Sequence, residues 1–178
     1  MKTLLFIITA TILCFVVFLL LNAELAKVPE ISISSFEECV SAGHPVLESY
    51  PQQCIVPDNG KTFVEDIGNE LEKIDLIQVE TPRPNQTISS PLVVKGKARG
   101  AWFFEADFPI SLADSKGRLI GSAVATAQAD WMTEEFVPFE ARLEFKNPQE
   151  EKGTLIFKKD NPSGLVEHDD ELIMPVKF

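Results

Sequence analysis

Polar and apolar residues alternate most regularly at 139–145, where Phe139, Ala141, Leu143 and Phe145 fall on one side and Glu140, Arg142 and Glu144 on the other. A period of two marks a strand with one face in a core and the other in water. Apolar runs of similar length recur at spacings of roughly 10–20 residues from Ile74 to the end of the chain, the rhythm of antiparallel strands in a sandwich. Seven strands are expected, over 74–80, 92–98, 103–112, 118–127, 139–145, 153–158 and 171–178. Between them lie Thr81-Pro82-Arg83-Pro84-Asn85, Asp114-Ser115-Lys116-Gly117, Lys146-Asn147-Pro148 and Asp160-Asn161-Pro162-Ser163-Gly164, each rich in residues that set turn dihedrals or bond their own backbone. Asp114 to Gly117 should close a tight hairpin. Pro109 and Pro175 remove ladder donors from the third and last strands, which points to edges or bulges there. No helix of useful length is expected in this region beyond one turn over 133–136, and no internal repeat is evident.

Two aromatic patches stand out. The segment GKARGAWFFEADFP carries Trp102, Phe103, Phe104 and Phe108 behind two glycines, and WMTEEFVPF carries Trp131, Phe136 and Phe139. Pairing these distant segments would make a single β core.

The chain begins differently. Residues 4–21, LLFIITATILCFVVFLLL, are uncharged, at the lower edge of the roughly 17–25 residues a membrane-spanning helix needs. That length favours an uncleaved anchor over a signal peptide, whose apolar core is usually about 7–15 residues. Lys2 before the run and Glu24 after it would keep the start of the chain inside and export the rest. If the segment 1–22 is cleaved, the exported part is secreted instead. Cys14 follows a large Leu13 where lipidation requires a small residue, so it reads as a cysteine buried in the membrane run.

After a linker, 23–30, residues 31–66 form a second unit. Cys39 and Cys54 are its only cysteines, and two thiols in an exported chain are expected to pair. Closing a loop of that length stabilises by about 3 kcal/mol in the chain-entropy picture. Ser35 with Glu38 is a capping-box pattern and Gly43 a stop, so 36–42 should be a two-turn helix carrying Cys39. Pro57-Asp58-Asn59-Gly60 is a turn leading into a short strand over 61–65. Cys39, His44 and Cys54 could hold zinc only with a fourth ligand, and a structural disulfide is the expected use of both thiols. A further linker, 67–73, joins this module to the body, 74–178.

Composition narrows the function classes. The chain has 178 residues, 45% of them hydrophobic, and Lys+Arg 16 against Asp+Glu 27 gives a net charge of −11. That balance repels phosphate backbones, so no nucleic acid partner is expected. There are two histidines and the body has no cysteine, and Ser163-Gly164 sits in a turn without an elbow motif. No nucleophilic triad is supported. Glu105 and Asp107 are the one carboxylate pair placed for acid–base hydrolysis, but charges alternating with aromatics ordinarily mark a wet strand face. Asp160, Asp169, Asp170 and Glu171 supply oxygens of the kind Ca²⁺ takes, without the spacing of a calcium loop. The run reads as solvated, and no metal, cofactor or catalytic residue is expected. Trp102 and Trp131, with Glu105 and Asp107, are the residues of a possible binding surface, with the tryptophans as a sugar platform if exposed. Asn85-Gln86-Thr87 fits a glycosylation pattern that matters only in a eukaryotic secretory pathway.

The order SSPLVVKGKARGAWFFEADFPISLADSKG, ADWMTEEFVPFEARLEF, GTLIFKKDNPSG and ELIMPV resembles the immunoglobulin-like domain of bacterial spore germination proteins, over the whole of 74–178. The resemblance implies an all-β fold, an immunoglobulin-like antiparallel β-sandwich of about seven strands, acting as a non-catalytic interaction domain of the envelope. The body lacks the cysteines of antibody domains, so Trp102 or Trp131 has to fill the core unaided. The pattern FEECVSAGHPVLESYPQQC…GKTFVE is similar to a small two-cysteine module of exported bacterial proteins, and Cys54…Asp58…Gly60-Lys61-Thr62-Phe63 is similar to the hairpin of Kazal-type protease inhibitors without their six-cysteine frame. The expected protein is therefore a single-pass cell-membrane protein with its body outside the cytoplasm. Its partner would be an envelope protein or a cell-wall glycan, with an envelope hydrolase, a protease inhibitor or a spacer as the competing classes.

Overall fold

The computed structural model of the chain describes residues 32–146 and 148–178. The anchor expected over 4–21, Cys14 and the linker 23–30 lie outside the described residues. Among the described residues no helix is long and apolar enough to cross a membrane.

The module starts with helix α1 (Phe36–Ser41). Ser35 caps it, its side chain accepting from the Glu38 N–H at 3.1 Å. The reciprocal bond of the capping box shifts by one residue: the Glu38 carboxylate accepts from the backbone N–H of Ser34 at 2.7 Å and from its hydroxyl at 2.8 Å. Strands β1 (Val46–Leu47), β2 (Gln53–Val56) and β3 (Lys61–Val64) form a small antiparallel sheet, with the 57–60 turn between the last two. Cys39 on α1 and Cys54 on β2 are joined in a disulfide, both fully buried among Val56, Ile33, Phe36 and Phe63. So small a core could hardly hold a helix to a sheet unaided, and the staple supplies the rest.

The stretch expected as a linker contains a one-turn helix, α2 (Glu70–Lys73). The body follows as β4 (Ile77–Thr81), β5 (Leu92–Arg99), β6 (Asp107–Asp114), β7 (Leu119–Ala127), β8 (Phe136–Leu143), β9 (Lys152–Lys158) and β10 (Glu171–Lys177). All seven strands are antiparallel and run in the order β10-β9-β6-β7-β8-β5-β4. One half is β4-β5-β8 and the other β7-β6-β9-β10. They are joined on one side by the short β7–β8 ladder, Thr126 opposite Glu140 and Ala127 opposite Phe139. On the other side residues 85–88 run along β10, with Asn85 N–H donating to the Pro175 carbonyl at 2.8 Å and Ile88 N–H to that of Lys177 at 2.9 Å. The sheet is thereby nearly closed into a barrel, which leaves little free edge.

Inward positions alternate as the sequence pattern requires. Phe139, Ala141 and Leu143 of β8 are buried, whereas Glu140, Arg142 and Glu144 are exposed. The two halves meet through a chain of rings: Phe103 on Phe108 at 5.2 Å, Phe108 on Phe139 at 4.9 Å and Phe139 on Phe157 at 6.5 Å between centroids. Trp102 lies in this core at 2% exposure, and Trp131 packs against it. A fully buried side chain of this size stabilises by roughly 1.5–3 kcal/mol.

Several boundaries differ from the expectation. The third strand begins at Asp107 rather than Phe103, because Gly100–Trp102 is a 3-10 turn and Phe104 to Asp107 reverses the chain. Gly100 is required there: a Cβ would overlap the carbonyl oxygens of Thr133 and Trp131, so the two aromatic patches meet backbone against backbone. The fifth strand begins at Phe136 instead of following a turn over 133–136, because Phe136 pairs with Arg99 at the end of β5. Pro175 lies on the edge strand β10, as expected. Pro109 lies in the central strand β6, one residue before pairing with β9 begins at Ile110, so it is flanked by β7 alone.

Module and body are tied together by polar contacts. Glu70, 5% exposed, accepts from the Tyr50 hydroxyl and pairs with the Arg83 guanidinium at 2.7 Å, while Arg83 also lies over the Tyr50 ring. The Asn85 amide donates to Glu65 at 3.0 Å and to the Asp66 carbonyl at 2.7 Å. The side chain of the glycosylation pattern is thus occupied within the protein.

Candidate functional site

The turn that displaces the third strand shapes the most distinctive surface of the body. Phe104 N–H donates to the Asp107 carbonyl and Asp107 N–H to that of Phe104, both at 3.0 Å. The two residues between them, Glu105 (φ 51°) and Ala106 (φ 69°), both have positive φ, as a type I′ reversal demands. Such turns favour Asn-Gly, because a Cβ in the left-handed region costs on the order of 1 kcal/mol per residue. Nothing in Glu-Ala advertises this turn.

The consequence is a hollow of about 390 Å³ lined by Phe104, Glu105, Asp107, Phe108, Pro109, Val124 and Asp160. Phe104 at the bend and Val124 on β7 are 39% and 57% exposed. Asp160 arrives from the loop after β9, whose backbone N–H donates to the Trp102 carbonyl at 3.1 Å and so fixes that loop beside the turn. Among the described residues none of Glu105, Asp107 and Asp160 has an ion-pair partner. Asp107 Oδ1 is shielded from water and accepts no hydrogen bond from the described residues.

Glu105 and Asp107 therefore do not alternate on a strand face: one stands at the tip of a reversal and the other opens β6. Trp102 and Trp131 do not join them on the surface. Trp102 is interior, with its Nε1 unpartnered among the described residues, and Trp131 is half-buried.

The four carboxylates considered for calcium also separate. Asp160 belongs to the hollow just described, whereas Asp169, Asp170 and Glu171 line another with Asn69, Lys73, Lys158, Val166 and Ile173. Lys73 pairs with Asp170 at 2.6 Å and Lys158 with Asp169 at 3.7 Å. The Asn161 amide, donating to Asp169 at 2.9 Å, holds that carboxyl below its ordinary range against a smaller burial effect, with Lys158 assisting. Among the described residues no group of three or more His, Cys, Asp or Glu side chains is placed to hold a metal ion. The disulfide consumes both thiols that a zinc site at His44 would need.

Phe104, Pro109 and Val124 were not legible as surface residues in the sequence. The signal for them is the reversal at Glu105-Ala106, which turns Phe104 out of the core its neighbours Phe103 and Phe108 enter.

A family profile described as the immunoglobulin-like domain of bacterial spore germination matches residues 76–164, which covers β4 to the loop after β9. No curated protein and no solved structure gives a significant match.

Proposed function

The chain belongs to the family of the immunoglobulin-like domain of bacterial spore germination, and on that premise we propose that it is a non-catalytic binding protein of the bacterial cell envelope. The N-terminal apolar run anchors it, and the module and body stand outside the cytoplasm. Support for the location comes from the disulfide, which persists in oxidising compartments, and from the length of the run at 4–21.

The observation that carries the binding role is the hollow at Phe104, where an exposed ring adjoins three carboxylates that have no cationic partner among the described residues, on a nearly closed β scaffold. Loops displayed by a rigid sheet are the usual carriers of recognition. The interior position of Trp102 and the half-buried packing of Trp131 against the core weaken a two-indole sugar platform and favour an envelope protein over a wall glycan as partner. The test is cross-linking of the tagged full-length protein in its own cells, against a control lacking residues 74–178. Enrichment of one envelope protein through the body supports the reading. Sedimentation with purified wall and no captured protein would replace it with glycan binding.

A further inference from the structure

Resting on that reading, we infer that the hollow receives a lysine or arginine side chain from a basic segment of the partner protein. The cation's methylene stem lies against Phe104, Pro109 and Val124, and its charge lies among Glu105, Asp107 and Asp160.

Four of the seven lining residues are apolar, which suits the aliphatic stem of a long basic side chain. A ring face beside carboxylates then offers both cation–π and charge-assisted contacts to the head group. The fold already uses this arrangement internally. Arg83 lies over the Tyr50 ring, 5.4 Å from its centroid, and pairs with Glu70. Arg99 lies over Phe136 at 4.1 Å and pairs with Glu135 at 3.8 Å. In both places aromatic ring, carboxylate and cation are complete. At Phe104 the ring and the carboxylates are present, and among the described residues the cation is not.

Lys159, next to Asp160 in sequence, does not fill the place, because its Nζ contacts the His168 carbonyl at 3.4 Å. A divalent ion is a poorer fit, since Glu105, Asp107 and Asp160 line one hollow but are not placed together closely enough to hold a metal ion. The turn adds a further argument. Asn-Gly would relieve the left-handed backbone at 105 and 106, yet the chain carries a glutamate at the tip, and that residue lines the hollow. The net charge of −11 would also speed the approach of a basic segment.

The experiment uses the full chain in its native cells, with the photoreactive residue p-benzoylphenylalanine at position 104 and, in a second strain, at position 124 to preserve the Phe104 ring. The captured peptide is then sequenced. The expected result is a protein segment with Lys or Arg adjacent to the attachment point. Its yield should fall about tenfold, the equivalent of one good charge pair, in Glu105→Gln/Asp160→Asn and stay unchanged in the control Glu144→Gln. Capture of a segment without basic residues, or a yield indifferent to the charge removal, overturns this inference and leaves the binding reading standing. Capture of glycan, or of nothing at either position, overturns both.

Discussion

Phe108 of β6 and Phe139 of β8 meet edge to face, centroids 4.9 Å apart and planes at 80°, although their strands lie in opposite halves of the sheet and never pair with each other. This contact locks one half onto the other. Phe139→Ala should cost about 3–5 kcal/mol, the usual loss for emptying a buried aromatic site. Urea unfolding of wild type, both single variants and the Phe108→Ala/Phe139→Ala pair measures it. The double variant should lose less than the sum of the singles, because each truncation already removes the shared contact.

The disulfide acts locally. Cys39→Ser/Cys54→Ser should destabilise the module by about 3 kcal/mol, from the chain entropy released to a loop of this length. Amide exchange should then rise across β1 to β3 while protection of β5 and β8 stays as in wild type. Equal loss of protection in both would mean that module and body unfold as one unit.

Arg83→Ala leaves the Glu70 carboxylate buried with Tyr50 as its remaining side-chain partner. An unsatisfied buried acceptor costs about 1–3 kcal/mol. The expected outcome is a drop in stability of that size, partly restored in Glu70→Gln/Arg83→Ala, as read by a denaturant double-mutant cycle.

Asp114 gives the body a pH dependence of known sign. Burial alone would raise its pKa, but the backbone and side chain of Arg118 and the backbone N–H of Lys116 bond its carboxylate, and together they hold it below the ordinary 3.8. A carboxyl with its pKa lowered in the folded state stabilises fully above the unfolded value and loses that contribution as the pH falls through the folded value. At neutral pH, Asp114→Asn should melt several degrees below wild type. The gap should begin to close as the pH drops to about 3.8 and vanish at more acid pH, which a series of melting curves will show.

The β strands announced themselves because a half-buried strand needs alternation of period two, and β5, β8, β9 and β10 carry it with few exceptions. Chemistry local to a few residues was equally visible: the Ser35 cap, the 57–60 turn, and the hairpin at Asp114 to Gly117, where Gly117 adopts φ 74°. The pairing of Cys39 with Cys54 followed from there being two cysteines outside the apolar run. The single chain of pairing from β10 to β4 did not follow, because strand neighbours are chosen by shape and by ladders between distant residues.

The surface at Phe104 was decided by tertiary structure alone. Local sequence around Glu105 and Ala106 favours an extended strand over a left-handed reversal. The reversal exists because Trp102 and Phe103 bury themselves on one side of it and Phe108 on the other. Packing of those rings outweighs the backbone strain of on the order of 1 kcal/mol per residue at the bend. Alternation along a chain reports which residues want a core. Where the chain must turn to satisfy that demand, and which ring is left outside, depends on the whole core at once.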